Sequence, residues 1–374
     1  MPRPNQARSV SFEVEELRVE RSSSRFAVRG DEGKLSPREM QILEAIVRNF
    51  ILTGLPTGSR FLSKRRGMDF SAATIRNVMG DLEERGLLEH PHTSAGRVPT
   101  DKGFRFYVDH LIRLIEVPRE VRQKIRGHLA RVEPSDLHML MEATSEALSK
   151  VTSQLGLIMA PKLREGVYRH IHLHEVESGR YLMNLAIDSG FVKSMVVEVN
   201  TQLDAGRLER ASNIMNARLQ GVALGELCDA GDDLFEGFPT YDIGVIRLFL
   251  PSIRKLVQSS RRDEVFAEGE ANIMLKPEFF DKEHAGAIVE ILGQKRLLLH
   301  MLKSGGNTEM GEVKVTIGSE ARGGKFTSMS IVKTGYNVGH MKGTLGIVGP
   351  KRMPYGFLIS AVDYTAKALS DLYS

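Results

Sequence analysis

The sequence has very little of what several classes of protein require. Cys228 is the one cysteine in 374 residues, which excludes an intramolecular disulfide and any cysteine-rich zinc site and is typical of a reducing cytoplasm. No apolar run reaches the ~18 residues of a membrane-spanning helix, and the N-terminus lacks the apolar core of a signal peptide. These absences predict a cytoplasmic protein.

Length and composition indicate a multidomain protein of ordinary polarity. A chain of 374 residues is too long for one hydrophobic core of the usual size, so about two or three domains are expected. Hydrophobic residues make up 41% and charged residues 26%, as in soluble proteins generally. The net charge of +4 permits a polyanionic partner without requiring one, because a few basic residues on one face matter more than the total.

Residues 1–34 are predicted to be a disordered N-terminal extension. Arginines and acidic residues balance one another there, and apolar residues are few. The alternative function for this segment is an arginine-bearing arm that adds non-specific affinity for DNA.

The stretch from Ser71 to Thr100 has the pattern of a helix followed by a hairpin. Ser71 is placed to cap the helix, and the apolar residues that follow it recur on one helical face. The opposite face carries Arg76, which pairs best with guanine, and Asn77, which pairs best with adenine. The chain then extends, turns through a polar segment and returns at Arg97. This order is typical of a winged helix-turn-helix, whereas the alternative is a helix and hairpin that merely pack.

The preceding segment favours the DNA-binding interpretation. Ser36, Pro37 and Glu39 form a capping box with proline at the first helical position, which predicts an amphipathic helix. Ser59 is placed to cap a second, basic helix that runs to Gly67, as expected of an element that crosses the phosphate backbone. Residues 35–112 are therefore predicted to be a winged-helix DNA-binding domain.

The predicted DNA contacts fall into three groups. The expected major-groove contacts are Ser71, Ala73, Thr74, Arg76 and Asn77. The expected phosphate contacts are Ser59, Arg60 and Lys64, and the expected contacts of the hairpin with the backbone or minor groove are His92, Thr93, Ser94 and Arg97.

The rest of the chain predicts an α+β fold. Residues 113–134 are interpreted as a helical linker. Alternating apolar residues then predict strands between 157 and 199 and again between 313 and 348, in an antiparallel sheet with helices to one side. The expected sheet domain comprises 135–224 and 312–374, interrupted by an inserted domain at 225–311.

The sequence resembles the heat-inducible transcription repressor HrcA family of bacteria. Three segments carry the resemblance: LSPREMQILEAIVRNFILTGLPTGSRFLS from Leu35, SAATIRNVMGDLEERGLLEHPHTSAGRVPTDKGFRFYVD from Ser71, and GTLGIVGPKRMPYGFLISAVDYTAKALS from Gly343. Two departures are that Gly80 stands where the family usually has alanine, and that residues 1–34 precede the family's usual start.

The resemblance implies a specific function and architecture. It implies a GAF-like sheet domain, an inserted dimerisation domain and a homodimer that binds an inverted-repeat operator known as CIRCE. It also implies repression of chaperone operons of the groE and dnaK type, by a repressor that the GroE chaperonin keeps active. A dyad-symmetric operator matches two-fold protein symmetry, with one recognition helix in each half-site.

Other functions are less well supported by the sequence. His170, His172 and His174 alternate along one predicted strand about 7 Å apart, which is too far for one tetrahedral zinc without a bend, so a polar strand face is preferred over a metal-dependent enzyme. No catalytic constellation stands out, so no enzyme, metal or cofactor is predicted. A regulator with a metabolite in its GAF-like domain is the main alternative.

A basic turn, GPKRMP, precedes the last predicted helix and begins at Gly349. The resemblance extends over this turn, which favours a structural contact with the DNA-binding domain or with the partner subunit.

Overall fold

The structure is a computed structural model that describes most of the chain from Leu35 to Tyr373. The described residues are 35–91, 96–132, 136–230, 235, 240–259, 264–280, 282–304, 306, 308–321 and 327–373. Helices and strands are mixed along the chain, so the expected α+β class is observed. Within these ranges no helix is both long and apolar enough to cross a membrane. The predicted extension at 1–34 lies outside them.

The N-terminal unit contains three helices and a two-stranded sheet. Their bounds are α1 Pro37–Thr53, α2 Ser59–Leu62, α3 Ala72–Glu84, β1 Leu88–Glu89 and β2 Val98–Pro99. The predicted capping box is confirmed: the Ser36 hydroxyl accepts from Glu39 N, and the Glu39 carboxylate accepts from Ser36 N at 2.7 Å. Gly54 ends α1 in the left-handed conformation.

The core of this unit lies between α1 and α3. Ile42 and Ile46 of α1, with Ile75 and Leu82 of α3, are fully buried. Removing such a side chain from water stabilises the fold by about 1.5–3 kcal/mol each. The strands β1 and β2 pair antiparallel after α3 and lead into α4 (Asp101–Phe106), which Thr100 caps and a π-helical turn at Tyr107–Leu111 extends.

A five-stranded antiparallel sheet forms the centre of the remaining chain. Its order is β7-β3-β10-β9-β8, with bounds β3 Leu155–Met159, β7 Val265–Glu268, β8 Val313–Ile317, β9 Met329–Val338 and β10 Met341–Pro350. Its helices are α5 Arg119–Leu129, α6 Leu137–Thr152, α10 Glu270–Met274, α11 Lys282–Gly293, α12 Lys295–Lys303 and α13 Tyr355–Asp371. The helices α6 and α13 pack on the sheet, and α5 packs on these two helices. The helix α12 packs on the strands within a second apolar cluster that α10 and α11 share.

A second sheet is not hydrogen-bonded to the first. It has the order β4-β5-β6, with bounds β4 Tyr168–Glu177, β5 Arg180–Ile187 and β6 Val192–Glu198. Its helices are α7 Ala205–Leu219, α8 Leu224–Asp229 and α9 Thr240–Ser259. After the exposed Arg180, side chains alternate between buried and half-buried along β5, because one face of this sheet is covered and the other is not.

This topology corrects two sequence-based expectations. The strands do not share one sheet, because the chain leaves the five-stranded sheet after β3 and returns to it at β7. Helices cover both faces of the main sheet instead of one. Within the predicted helical linker at 113–134, Val121, Ile125 and Leu129 of α5 are buried in the core.

Candidate nucleic-acid interface

The helix α3 has one buried and one exposed face. Its N-cap is Ser71, as predicted, with the hydroxyl accepting from Thr74 N at 3.1 Å. The side chains of Ala73, Arg76 and Asn77 are exposed, while Thr74 is half-buried and its hydroxyl lies 2.9 Å from that of Ser71. The arrangement leaves a short polar surface framed by small residues.

Arg76 and Asn77 are available for an external partner. No described residue makes a hydrogen bond or an ion pair with either side chain. Both side chains present planar groups with paired hydrogen-bonding atoms, which suit the edges of guanine and adenine in a major groove.

The helix α2 is shorter than predicted, and it begins one residue earlier. Gly58, rather than Ser59, is the N-cap, and the helix ends at Leu62 instead of continuing to Gly67. Turn hydrogen bonds follow, such as Arg65 N to Leu62 O at 2.9 Å, until Gly67 adopts a positive φ. The run of cationic residues after Leu62 therefore lies in a turn directly before α3.

This turn concentrates positive charge beside α3. The side chains of Arg60, Lys64, Arg65 and Arg66 are exposed. Ser59, in contrast, is 8% exposed, which limits its side chain as a phosphate contact. Cationic side chains beside a groove-binding helix strengthen binding to phosphates irrespective of base sequence.

Part of the predicted hairpin contact set falls outside the described residues, namely His92, Thr93 and Ser94. The described base of the hairpin is held firmly against the helices. Arg97 pairs with Glu83 of α3, with Nη2 to Oε2 at 2.8 Å, and its backbone exchanges two hydrogen bonds with Thr57. A Cβ at Gly96 would lie 2.8 Å from the Pro56 backbone, so the close approach requires glycine.

The structure thus gives Arg97 a structural partner that the sequence did not indicate. The ion pair joins the start of β2 to the end of α3 and sets the position of the hairpin relative to the helix. An Arg and a Glu separated by 14 residues carry no periodic signal, so sequence reasoning had no means of pairing them.

The basic turn after β10 contacts the N-terminal unit, which was one of its two predicted contacts. Lys351 Nζ lies 2.6 Å from Asp101 Oδ1 at the start of α4. Arg352 donates to Ile51 O, in the last turn of α1, at 3.0 Å and pairs with Glu278. Tyr355 donates to Lys351 O at 2.7 Å, which fixes the shape of the turn.

The three histidines lie on the exposed face of β4, where the sequence placed them as a polar strand face. The rings of His172 and His174 are 6.4 Å apart between centroids. Among the described residues, no group of three or more His, Cys, Asp or Glu side chains is arranged to hold a metal ion.

Comparisons with known proteins identify the family. The model of the HrcA protein C terminal domain matches residues 138–359. The heat-inducible transcription repressor HrcA of Geobacter sulfurreducens is 36% identical over 341 residues, which span 90% of this chain and 98% of the relative. The protein of the same name from Ruminiclostridium cellulolyticum is 33% identical over 332 residues, 88% of this chain and 95% of the relative.

A solved structure shares the fold. A protein described as hypothetical, in a crystal structure at 2.2 Å resolution, superposes with a TM-score of 0.55 at 24% identity and covers 91% of this chain and 97% of its own. The sequence matches likewise extend over nearly the whole of each repressor. The chain belongs to the heat-inducible transcription repressor HrcA family, a family of transcription repressors and not of enzymes.

Proposed function

We propose that this protein is a cytoplasmic homodimer that represses heat-shock chaperone operons by binding an inverted-repeat operator of the CIRCE type. The observation that carries the proposal is the exposed face of α3, where Arg76 and Asn77 have no partner among the described residues while the opposite face is buried. Membership of a family of transcription repressors supports the same function.

The N-terminal unit acts as a winged helix in this proposal. The helix α3 enters the major groove, the basic turn before it rests on phosphates, and the hairpin of β1 and β2 lies on the backbone or in the minor groove. The Arg97–Glu83 pair keeps the hairpin close to α3, so that both elements meet one half-site together.

The dimer places two α3 helices on one operator. An inverted repeat is read by two identical units related by a two-fold axis, with half-sites about one helical turn or a multiple apart. The second sheet, β4-β5-β6, carries a face that no described helix covers, which suits it to the dimerisation role that the resemblance assigned to an insertion.

Footprinting of the full chain on an inverted-repeat fragment tests the DNA-binding part of the proposal. The expected result is two protected patches in adjacent or regularly spaced major grooves, symmetric about the dyad. Protection without symmetry, or none above a scrambled fragment, would overturn it.

Heat regulation follows from marginal stability in this proposal. Heating depopulates the DNA-competent form, and the GroE chaperonin restores it, so that occupation of the chaperonin by unfolded clients derepresses the operons. The test is to heat the purified protein, return it to the growth temperature and measure operator binding with and without chaperonin and ATP. Full activity without chaperonin would contradict this mechanism.

A metabolite in the sheet domain is less consistent with the packing. The side chains of β9 and β10 are nearly all buried, and apolar clusters lie on both faces of the five-stranded sheet. In the described residues the interior of this domain is filled by its own side chains.

A further inference from the structure

The N-terminal unit is joined to the main sheet by charged side chains from α4. Asp101, the first residue of α4, accepts from Lys351 Nζ at 2.6 Å through one carboxylate oxygen and from Ser319 N at 2.9 Å through the other. One turn later, Arg105 forms a two-point pair with Glu320 at 2.7 and 2.5 Å and donates to Val315 O at 2.6 Å. The helix α4 therefore contacts two segments of the main sheet, the turn after β10 and the residues at the end of β8.

A third contact meets the end of α1. The Arg352 guanidinium donates to Ile51 O at 3.0 Å and also pairs with Glu278. A cation at the C-terminus of a helix is favourable because it faces unpaired carbonyls and the negative end of the helix dipole. The three contacts are called the docking pairs below: Asp101–Lys351, Arg105–Glu320 and Arg352 with the end of α1.

Glycines at the contact make the close approach possible. A Cβ at Gly318 would lie 2.3 Å from the Asp101 carboxylate, and Gly318 has a positive φ. A Cβ at Gly54 would lie 3.3 Å from Arg352 Cζ, and Gly54 also has a positive φ. Both positions therefore need glycine for backbone conformation and for space, on opposite sides of the contact.

Apolar packing between the two parts is incomplete beside the docking pairs. A cleft of about 680 Å³ lies between them, lined among others by Phe50, Pro99, Pro277 and Ser328. The rings of Phe104 and Tyr355 are 6.3 Å apart at one margin. The charged side chains that bridge the cleft therefore act together with the apolar contact of Phe104 and Tyr355 in holding the orientation of the two parts.

Three contacts that do not share one line fix a rigid unit in both position and angle. The docking pairs act on α1 and α4, and α3 shares one buried core with α1. The direction in which Arg76 and Asn77 point from the main sheet therefore depends in part on Lys351, Arg352 and Glu320. None of these three residues is among the proposed DNA contacts.

We infer that Lys351, Arg352 and Glu320 are positioning residues that set the separation and angle of the two α3 helices in the homodimer, and so determine which half-site spacing the protein accepts. This inference rests on the proposed function. It assigns to the basic turn the reading of operator spacing, a property distinct from recognition of the half-site itself.

The first test uses full-length protein and a set of operators whose spacer is lengthened or shortened one base pair at a time. The wild type prefers one spacing, and Lys351→Met, Arg352→Met and Glu320→Gln each reduce that preference by about fivefold or more. Affinity for a fragment with a single half-site stays within about twofold of the wild type, because the groove and phosphate contacts are intact. Lys351→Arg, which keeps a donor for Asp101, restores the preference.

An exposed ion pair elsewhere supplies a matched control. Lys342 pairs with Glu309 at the opposite end of β10. Lys342→Met removes the same charge as Lys351→Met and leaves the spacing preference unchanged.

A second measurement reports orientation without DNA. Spin labels at Asp81→Cys in α3 and Lys367→Cys in α13, both exposed positions, are placed in a Cys228→Ala background. The distance distribution between them is narrow in the otherwise unchanged chain and broadens in Arg352→Met.

The outcomes separate this inference from the proposed function. If the wild type binds the half-site but the three variants keep its spacing preference and label distances, the inference alone is overturned. If the wild type shows no specific binding to a half-site, both are overturned. Loss of spacing preference with unchanged half-site affinity and broadened distances supports the inference.

Discussion

Arg97, at the start of the hairpin's second strand, pairs with Glu83 near the end of α3, with 2.8 Å between Nη2 and Oε2. The pair is partly exposed, so its contribution to folding is modest, up to about 1 kcal/mol. Its consequence is geometric, because it fixes the distance between the two elements that are proposed to meet the same half-site.

Substitutions at this pair distinguish a phosphate contact from a purely structural role. We expect Arg97→Met to reduce the slope of log affinity against log salt by about 1, as loss of one phosphate contact does. We expect Glu83→Gln to leave that slope unchanged, because it removes no cation. Equal losses of DNA affinity in the two variants, with the slope unchanged in both, would mean that Arg97 acts only through Glu83.

Substitutions at Arg76 and Lys64 are expected to change DNA affinity and specificity in different ways. Arg76→Ala is expected to cost about 1–3 kcal/mol on the operator and to relax discrimination at one base pair, because its guanidinium reads a base edge. Lys64→Ala is expected to weaken operator and random DNA alike and to flatten the salt dependence. Titrations of both variants against both DNAs at several salt concentrations check the contrast. Unchanged operator affinity in Arg76→Ala would show that the assigned groove face is wrong.

Gly80 is a site where stability can be gained. It lies inside α3, and a Cβ there would meet no atom within 4 Å. Gly80→Ala is therefore expected to raise the free energy of unfolding by about 0.5–1 kcal/mol, since alanine loses less backbone entropy in a helix. Gly54→Ala is the matched control, and it should destabilise because Gly54 has a positive φ and faces Arg352. Urea unfolding of both variants measures the difference, and a loss of stability in Gly80→Ala would contradict the prediction.

The hydrogen bonds to the Asp188 carboxylate predict that the fold loses stability in acid. Burial raises the pKa of its carboxyl, but hydrogen bonds from Val167 N, His340 N and the His340 side chain outweigh this and hold the pKa below its usual value. A lowered pKa stabilises the fold above the unfolded value of about 3.9, and that contribution is lost as the pH falls through the folded value.

Asp188→Asn tests this relationship. At neutral pH it should cost about 1–3 kcal/mol, because the amide leaves a buried backbone donor without its acceptor. The difference in unfolding free energy between wild type and variant should shrink as the pH falls below about 4. A difference that stays constant down to about pH 2 would show that the ionised carboxylate contributes nothing specific.

Local sequence signals predicted the N-terminal unit well. The capping box at Ser36, the cap at Ser71 and the apolar face of α3 are all present, because each depends on residues within a few positions of one another. The extent of α2 was wrong, since a basic run does not reveal whether it continues a helix or forms a turn.

Long-range arrangement was not predictable from the same signals. Alternation identified the strands, but it does not say which strands pair, so the division into two sheets was missed. Lys333 illustrates the limit: it stands within a buried strand, and its ammonium donates to Leu302 O and Ser304 O at the end of α12. Only the fold brings these groups together.

The docking pairs were also beyond sequence reasoning in detail. The basic turn was expected to contact the predicted DNA-binding domain or the partner subunit, and it contacts the N-terminal unit, to which that prediction refers. Its partners Asp101 and Ile51 lie about 250 and 301 residues away in the chain, so their identity depends on the tertiary structure.

The most direct test of the central claim is binding of the full chain to an inverted-repeat chaperone-promoter fragment and to a scrambled fragment, across a salt series, with and without chaperonin. The proposed function predicts tight binding that depends on the dyad, persists at a salt concentration where the scrambled fragment is released, and increases with chaperonin. Equal binding to both fragments, falling steeply with salt and indifferent to chaperonin, would contradict it.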